Sequence, residues 1–320
     1  MRILVTGATG FVGRQVVADL LSSGEKVRAV IRRPGSMERT ADIETVVVPT
    51  IGRKTEWSAA LEGIDAVVHL AAQVHDTRRA GSGASALHEE VNVCGTERLA
   101  LEAARAGVRR FVFVSSIKAM GDGPTQRPYV ATDPPAPQDA YGRSKLEGER
   151  RLCAIAATSP LESVIVRPPL VYGPGVKANF LALLRWVDRG WPLPLGAVRS
   201  RRSMINVWNL SNLLLKCIHH PGAAGQVFLA SDGEDLAIPD LLHAIARSMN
   251  RNLRLVHVAP SVLEMGATAL GLGPQIRRLV RSLQVDPAST FSRLDWVPPV
   301  GCQVGLKRTV ENYRTQRPRA

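Results

Sequence analysis

Tyr141 and Lys145 stand four residues apart in Tyr141-Gly-Arg-Ser-Lys145, a spacing that puts a phenol and an ammonium on one face of a helix. The surrounding stretch, Ala140 to Ile155, is rich in Ala, Leu, Glu, Arg and Lys and is expected to be helical. A cation beside a phenol is proton-transfer chemistry. An unperturbed tyrosine has a pKa near ~10, and a positive charge within about 4 to 6 Å favours the phenolate. At about 1.36 kcal/mol per unit, bringing the phenol to roughly 7 takes about 4 kcal/mol of differential stabilisation. Lys145, a cationic nicotinamide ring and the hydroxyl of Ser116, which closes the apolar run Phe111-Val-Phe-Val-Ser115-Ser116, are the groups expected to supply it. Y-x-x-x-K on its own is a short pattern that many helices carry by chance, so its meaning depends on a cofactor site elsewhere in the chain.

The amino terminus offers that site. Met1-Arg-Ile-Leu-Val-Thr6 is a short β-rich run, followed by Gly7-Ala-Thr-Gly10-Phe-Val-Gly13 and a helical pattern from Arg14 to Ser22. Strand, glycine turn and helix in that order let backbone approach a pyrophosphate closely, with the first amides of the helix facing its charge. The spacing G-x-x-G-x-x-G differs by one residue from the plain G-x-G-x-x-G dinucleotide fingerprint. The bland alternative is an ordinary tight turn.

Further β-like segments are expected at Val27 to Ile31, Thr45 to Val48, Ala66 to Leu70, Phe111 to Val114 and Ser163 to Val166, with helical patterns between most of them. Near-continuous apolar strands separated by helices imply a parallel sheet covered on both faces. With a glycine turn at the first crossover, the expectation is an α/β protein built on a doubly wound Rossmann sheet.

These residues carry a family resemblance. The chain resembles the extended short-chain dehydrogenases/reductases of the nucleotide-sugar epimerase/dehydratase group. The matching motifs are Thr6-Gly-Ala-Thr-Gly-Phe-Val-Gly13, Asp65-Ala-Val-Val-His-Leu-Ala-Ala72, Asn92-Val-Cys-Gly-Thr96, Val114-Ser-Ser116, Tyr141 to Lys145, Arg167-Pro-Pro-Leu-Val-Tyr-Gly-Pro174, and Asp286 followed by Leu294-Asp-Trp296. Within that group it most resembles the bacterial UDP-4-keto-6-deoxy-N-acetylhexosamine 4-reductases, of the UDP-N-acetylquinovosamine dehydrogenase type, which are often labelled UDP-glucose 4-epimerases. Ser115-Ser-Ile-Lys118, Pro192-Leu-Pro-Leu-Gly-Ala197, Arg201-Arg-Ser203 and Ser231-Asp-Gly-Glu-Asp235 carry that narrower likeness.

The resemblance implies roles. Tyr141 would be the general acid/base at the sugar C4 oxygen, Lys145 would bind the nicotinamide ribose and depress the tyrosine pKa, and Ser116 would be the catalytic hydroxyl, with Ser115 capping the strand end. Cofactor contacts would come from Gly7, Thr9, Gly10, Phe11, Val12 and Gly13 in the turn, from Leu70, Ala71 and Ala72 beneath the cofactor, and from Pro168. Asn92 would support the active-site helix. Substrate contacts would come from Ser116, Lys118, Asn179 and Arg202. Arg202 matches a diphosphate-binding arginine, whose fork of donors suits a pyrophosphate; a solvated surface arginine is the alternative. Lys118 stands where most epimerases carry a neutral residue, and is either a substrate contact or a loop charge.

Departures from the pattern also inform. The second strand ends Val30-Ile31-Arg32-Arg33-Pro34, where an NAD enzyme usually places an Asp for the ribose 2′-hydroxyl. Arg32 and Arg33 suit a 2′-phosphate instead, which favours NADP(H) over NAD(H); the alternative is two solvated loop charges. Thr50, in Val48-Pro49-Thr50-Ile51, replaces an acid that relatives commonly place before the adenine. Dehydratases follow the catalytic hydroxyl with an Asp-Glu pair for elimination, whereas Ile117 and Lys118 follow Ser116 here. That argues against 4,6-dehydration and for hydride transfer at C4.

A chain of 320 residues with 45% hydrophobic content can bury one large core and a smaller lobe. The expected division is a dinucleotide-binding domain over 1–172 and about 203–232, and a substrate lobe over about 173–202 and 233–320. The chain starts in its first strand and has no apolar run long enough to span a bilayer, so a cytoplasmic protein is expected. Cys94, Cys153, Cys217 and Cys302 lack C-x-x-C spacing and no His/Cys cluster has metal-ligand spacing, so neither disulfides nor a metal are expected. The net charge of +13 attracts anions, but it is dispersed over Arg105/Arg109/Arg110, Arg199/Arg201/Arg202, Arg277/Arg278/Arg281 and Arg314 to Arg319, with aromatics at 5% and no nucleic-acid module. Nucleic acid is therefore not an expected partner, whereas a dianionic UDP-sugar and an anionic dinucleotide are. The basic stripe Ile276 to Leu283 beside the apolar Val262 to Leu272 fits either an anionic membrane surface or a helix packed on its own lobe.

Three functions stay open: reduction of a UDP-linked 4-keto sugar, favoured; C4 epimerisation of a UDP-hexose or UDP-N-acetylhexosamine; and, from another class, a non-enzymatic dinucleotide sensor, against which Tyr141, Lys145 and Ser116 argue together. A homodimer through the helices carrying Asn92 to Arg105 and Tyr141 to Ile155 is what the resemblance implies, with a monomer as the alternative.

Overall fold

The computed structural model describes residues 1–37, 40–74, 82–122, 127–269, 271 and 273–316. Its strands are β1 (Arg2–Thr6), β2 (Lys26–Ile31), β3 (Ile43–Val47), β4 (Ala66–His69), β5 (Arg110–Val114), β6 (Glu162–Arg167), β7 (Leu170–Tyr172), β8 (Arg201–Arg202), β9 (Met204–Asn206), β10 (Val227–Leu229) and β11 (Leu236–Ala237). Seven of them form one sheet in the order β10-β6-β5-β4-β1-β2-β3. Every pairing in that sheet is parallel. This is the expected Rossmann-like doubly wound sheet, with β1 and β4 as the central pair where the winding reverses.

Alternation along each strand sorts side chains to two covered faces. Ile3 and Val5 of β1 pack in one cluster with Val16 and Leu20 of the helix Phe11–Ser22 and with Leu210, Leu213 and Leu214 of the helix Val207–His219. Leu4, Val67, Phe111 and Phe113 face the other way, against Trp57, Leu99 and Leu152. The register sets Thr6 opposite His69, His69 opposite Phe113 and Val114 opposite Val166. The carboxyl ends of β1, β4, β5 and β6 therefore lie side by side, and the turns that leave them share one rim.

A second cluster, containing Tyr172, Phe180, Leu184, Leu241, Ile245 and Leu306, is built from the helices Ala178–Arg189, Ile238–Met249 and Cys302–Thr315. The chain interleaves the two cores. Ile205 and Phe228 pack in the sheet's core although the helix Ala178–Arg189 before them belongs to the second cluster. Asp232 stitches the junction: its carboxylate accepts from Tyr172 Oη at 2.8 Å, Asn206 N at 3.0 Å and Asn209 Nδ2 at 2.7 Å.

The helices Pro260–Ala269 and Gly273–Val280 pack on this lobe through Leu263, Leu279 and Val280, leaving Val262 and Met265 exposed. Of the stretches singled out there, Leu270, Leu272 and the Arg278 side chain, like Arg317 and Arg319 of the tail, lie outside the described residues. The four cysteines are free. Among the described residues, no helix is long and apolar enough to cross a membrane.

Candidate active site

The glycine turn is closed by contacts that only hydrogen side chains permit. Gly7 has φ of +69°, and a Cβ there would lie 2.9 Å from Ala71 N. Gly10 N donates to Gly7 O at 2.9 Å, and a Cβ on Gly13 would collide with that same carbonyl oxygen. The turn after β1, the start of the first helix and the end of β4 thus touch backbone to backbone, which is the close approach a pyrophosphate needs.

Arg32, Thr50, Lys54, Ala71 and Ala72 line one cavity beside this turn, while Thr9, Gly10, Phe11, Pro174 and Lys177 line another at the helix start. Leu70 N donates to Thr6 O at 3.3 Å, and Val12 packs into the sheet's core. The cradle fits a dinucleotide. Arg33 stays on the exposed turn, where its carbonyl accepts from Ser36. Lys54 is a second cation in the Arg32 cavity that no sequence motif marked.

Tyr141 and Lys145 lie in the helix Ala140–Ala157, whose amino terminus is capped by Asp139 Oδ1 accepting from Gly142 N at 2.7 Å. Ser116, at the end of β5, is hydrogen-bonded to the Tyr141 phenol. Pro168 O accepts from Ile117 N at 3.0 Å, which fixes the turn that follows Ser116 against the end of β6. Lys145 is 1% exposed, with Nζ 4.0 Å above the Phe113 ring. Ser116 and Tyr141 therefore meet at the rim of the sheet, with Lys145 one turn further along the same helix.

Their electrostatics differ from the expectation. The Tyr141 phenol is pushed up to about 12, first by burial and then by the Asp139 carboxylate, while the Ser116 hydrogen bond pulls the other way. Lys145 is pushed down to about 7 by burial, against the upward pull of Glu149. The depression of the phenol by Lys145 is not produced by the chain's own groups. In the cofactor-free chain, burial and the carboxylate two residues before the tyrosine raise the phenol; the expected depression also counts on a cationic nicotinamide.

A second layer holds the dyad. Asn92 sits in the π-helical turn Glu89–Cys94, and its side chain accepts from Gln73 N at 2.8 Å and donates to Gln73 O at 3.0 Å and Ser144 Oγ at 2.9 Å. Ser144 Oγ in turn donates to Tyr141 O at 2.8 Å. Asn92 thus ties the catalytic helix to the loop after β4. His69, pushed down to about 3 by burial and then by Lys145, is neutral. It bridges Thr6 Oγ1 at 2.7 Å and Thr96 Oγ1 at 3.0 Å, locking β1, β4 and the helix Gly95–Arg105 together. Glu149 and Arg167 form a buried pair behind Lys145. Thr6, His69, Thr96, Ser144 and Arg167 lie in the matching motifs, but no sequence signal marked which of them would pair, because the partners are mostly distant in the chain.

The remaining candidates are placed as follows. Lys118 Nζ sits between Asp122 at 2.6 Å and Asp139 at 3.0 Å, so it is held in ion pairs and is not a solvated loop charge. Ser115 does not cap the strand with its side chain, since Oγ has no hydrogen-bond partner among the described residues, although its N–H donates to Val166 O at 2.8 Å. Arg202, half-buried on β8, donates to Arg281 O at 3.2 Å. Asn179 is exposed in the first turn of the helix Ala178–Arg189.

Comparison with known proteins agrees with this geometry. Residues 3–230 match the model of the NAD dependent epimerase/dehydratase family. A Vibrio cholerae protein named UDP-glucose 4-epimerase is 38% identical over 314 residues, covering 97% of this chain and 95% of that protein. A ceramide reductase of Caulobacter vibrioides is 30% identical over 268 residues, covering 83% and 76%. Among solved structures, MoeE5 in complex with UDP-glucuronic acid and NAD superposes with a TM-score of 0.78 at 25% identity, covering 99% of this chain and 100% of that one. The chain belongs to the NAD dependent epimerase/dehydratase family, whose members of known activity among these relatives are enzymes of the short-chain dehydrogenase/reductase type.

Proposed function

We propose that this enzyme transfers hydride at C4 of a nucleotide-linked sugar, and that its reaction is reduction of a UDP-4-keto-6-deoxy-N-acetylhexosamine. The observation that carries the reading is the hydrogen bond between the Tyr141 phenol and Ser116 beside the glycine cradle. Two hydroxyls held together there can give a proton and a hydrogen bond to one sugar oxygen, which is what a ketone becoming an alcohol requires. A bound nicotinamide dinucleotide supplies the hydride. Tyr141 hands its proton to the C4 oxygen, and Ser116 donates a hydrogen bond to the same atom as negative charge develops there. Lys145 holds the nicotinamide ribose, Arg202 faces the diphosphate and Asn179 completes the substrate side.

The preferred cofactor is NADPH. Arg32 and Lys54 line one cavity beside the glycine turn, and two cations there suit a 2′-phosphate. The sheet core with residues 1–172 and about 203–232 acts as the dinucleotide domain, and the second core as the substrate lobe. Elimination is disfavoured because Ile117, where dehydratases carry an acid, is buried in an apolar cluster, and Lys118 is tied up by two carboxylates.

C4 epimerisation is the second reading, supported by the relative named UDP-glucose 4-epimerase. Cofactor consumption separates the two. Incubated with UDP-4-keto-6-deoxy-N-acetylglucosamine and NADPH, the enzyme is expected to consume reduced cofactor stoichiometrically, and Tyr141→Phe to abolish this while still binding dinucleotide. No loss of absorbance with NADPH or NADH, together with C4 interconversion of UDP-hexosamines, would establish the epimerase instead.

A further inference from the structure

Lys118 touches the turn that carries Ser116 and the first turn of the helix that carries Tyr141. Its backbone N–H donates to Ser116 Oγ at 3.2 Å. Its carbonyl oxygen lies so close to Gly142 that a Cβ there would collide with it. Its ammonium pairs with Asp122 at 2.6 Å and with Asp139 Oδ2 at 3.0 Å, while Asp139 Oδ1 caps the helix that carries Tyr141. The side chain is only 20% exposed, so these pairs are partly shielded from solvent.

We propose that Lys118 is a positioning residue for Tyr141: it neutralises the carboxylate that caps the catalytic helix and locks the first turn of that helix against the strand end carrying Ser116. This rests on Tyr141 being the proton donor of the reaction proposed above. The titratable and charged groups around the phenol are few. Its own helix start contributes Asp139, Lys145 and the exposed Arg143. The strand end and the turn after it contribute Ser116 and Lys118, the loop beyond contributes Asp122, and the helix Ser82–His88 contributes His88, whose ring centroid is 6.0 Å from that of Tyr141. Asp139 is the carboxylate that opposes ionisation of the phenol, and Lys118 is the cation bound to it. Without Lys118, Asp122 and Asp139 repel each other and Asp139 acts on the phenol with its full charge. Without the charge of Asp139, the phenol ionises more readily.

The test labels tyrosine ring carbons with 13C, assigns Tyr141 by its loss in Tyr141→Phe, and follows its resonance with pH in wild type, Lys118→Met, Lys118→Arg and Asp139→Asn. Near pH ~11, Lys118→Met is expected to hold about tenfold less phenolate than wild type and Asp139→Asn about fivefold more, a shift of about one pH unit each way. Asn keeps the cap acceptor for Gly142 N, so the helix start stays capped while the charge is removed, and Lys118→Arg is expected to keep the wild-type curve. In turnover, the alkaline limb of kcat is expected to move with the resonance while KM for the sugar changes little. Coincident titration curves for wild type and Asp139→Asn overturn the proposal, as does an Arg variant whose curve departs from wild type by about one pH unit; both outcomes are readable even if the Met variant does not fold. The resonance requires no substrate. A wild type that reduces no sugar but shows these shifts keeps the role of Lys118 and removes only the reductase reading.

Discussion

Replacing Glu149 by Gln is expected to destabilise the protein more than any other single isosteric change at the site. Arg167 Nε donates to Glu149 Oε1 at 2.9 Å and Nη2 to Oε2 at 2.5 Å. The two side chains are 5% and 4% exposed, so water cannot replace either bond. The third guanidinium nitrogen is 2.7 Å from Met120 Sδ, a weak acceptor for a charge. Gln keeps one oxygen for Nε but points an NH₂ group at Nη2, which sets donor against donor and leaves a buried cation unpaired. Breaking a buried pair in this way costs about 3 to 5 kcal/mol, a large share of the ~5 to 15 kcal/mol that holds a domain together. The pair is not expected to be worth that much as a net contribution, because both ions were desolvated to form it. The double variant Glu149→Leu/Arg167→Met is therefore expected to recover to within about 2 kcal/mol of wild type.

Urea denaturation with an unchanged m value measures both. A Glu149→Gln variant within about 1 kcal/mol of wild type would refute the reasoning, since it would mean that water or backbone movement satisfies Arg167. A double variant as damaged as the single would refute it differently, by showing that shape rather than charge is what the pair provides. The same substitution has a second consequence. Glu149 is the carboxylate that pulls Lys145 up against burial, so its loss is expected to lower the lysine's titration further below about 7.

Two further perturbations follow from the same geometry. Lys145 is protonated in the unfolded chain up to its ordinary value of 10.5 but only up to about 7 when folded. Between those values the unfolded state binds the extra proton, so wild-type stability rises with pH across that window and lies lowest below it. Lys145→Met is accordingly expected to stabilise the cofactor-free protein at neutral pH, by about 5 kcal/mol at the limit set by 3.5 units at about 1.36 kcal/mol each, with a gain that fades as pH climbs towards 10.5. A gain independent of pH would contradict it. Gly13→Ala places a methyl group against the Gly7 carbonyl, so the cradle must open. Fluorescence titration with NAD(P)H is expected to show affinity reduced at least tenfold with the fold retained, and unaltered binding would show that the turn does not hold the pyrophosphate.

What was legible in the chain was local. The glycine turn, the alternation of strands and helices, and the Tyr141 to Lys145 spacing are written in contiguous residues, and each element lies where expected to within a few residues: β3 runs Ile43–Val47 where Thr45 to Val48 was expected, and the catalytic helix runs on to Ala157. What was not legible depends on which distant residues the fold brings together. Thr6 and His69 are 63 positions apart, Arg110 and Glu162 52, Lys118 and Asp139 21. Periodicity identifies a buried face but not which polar groups will meet on it. The resting state of Tyr141 in the cofactor-free chain has that origin. The nearest cation in sequence was visible, whereas the desolvation of the phenol is a property of the assembled rim, and the opposing carboxylate of Asp139 was present but had no pattern to mark it. Free of cofactor, the chain's own groups hold the phenol at about 12 beside a lysine near 7, so the phenol keeps its proton until a cationic nicotinamide or a substrate oxygen acts on it. Reduction and epimerisation both pass that proton to a C4 oxygen that is becoming negative, so the two are separated by whether reduced cofactor is consumed and not by the resting state of Tyr141.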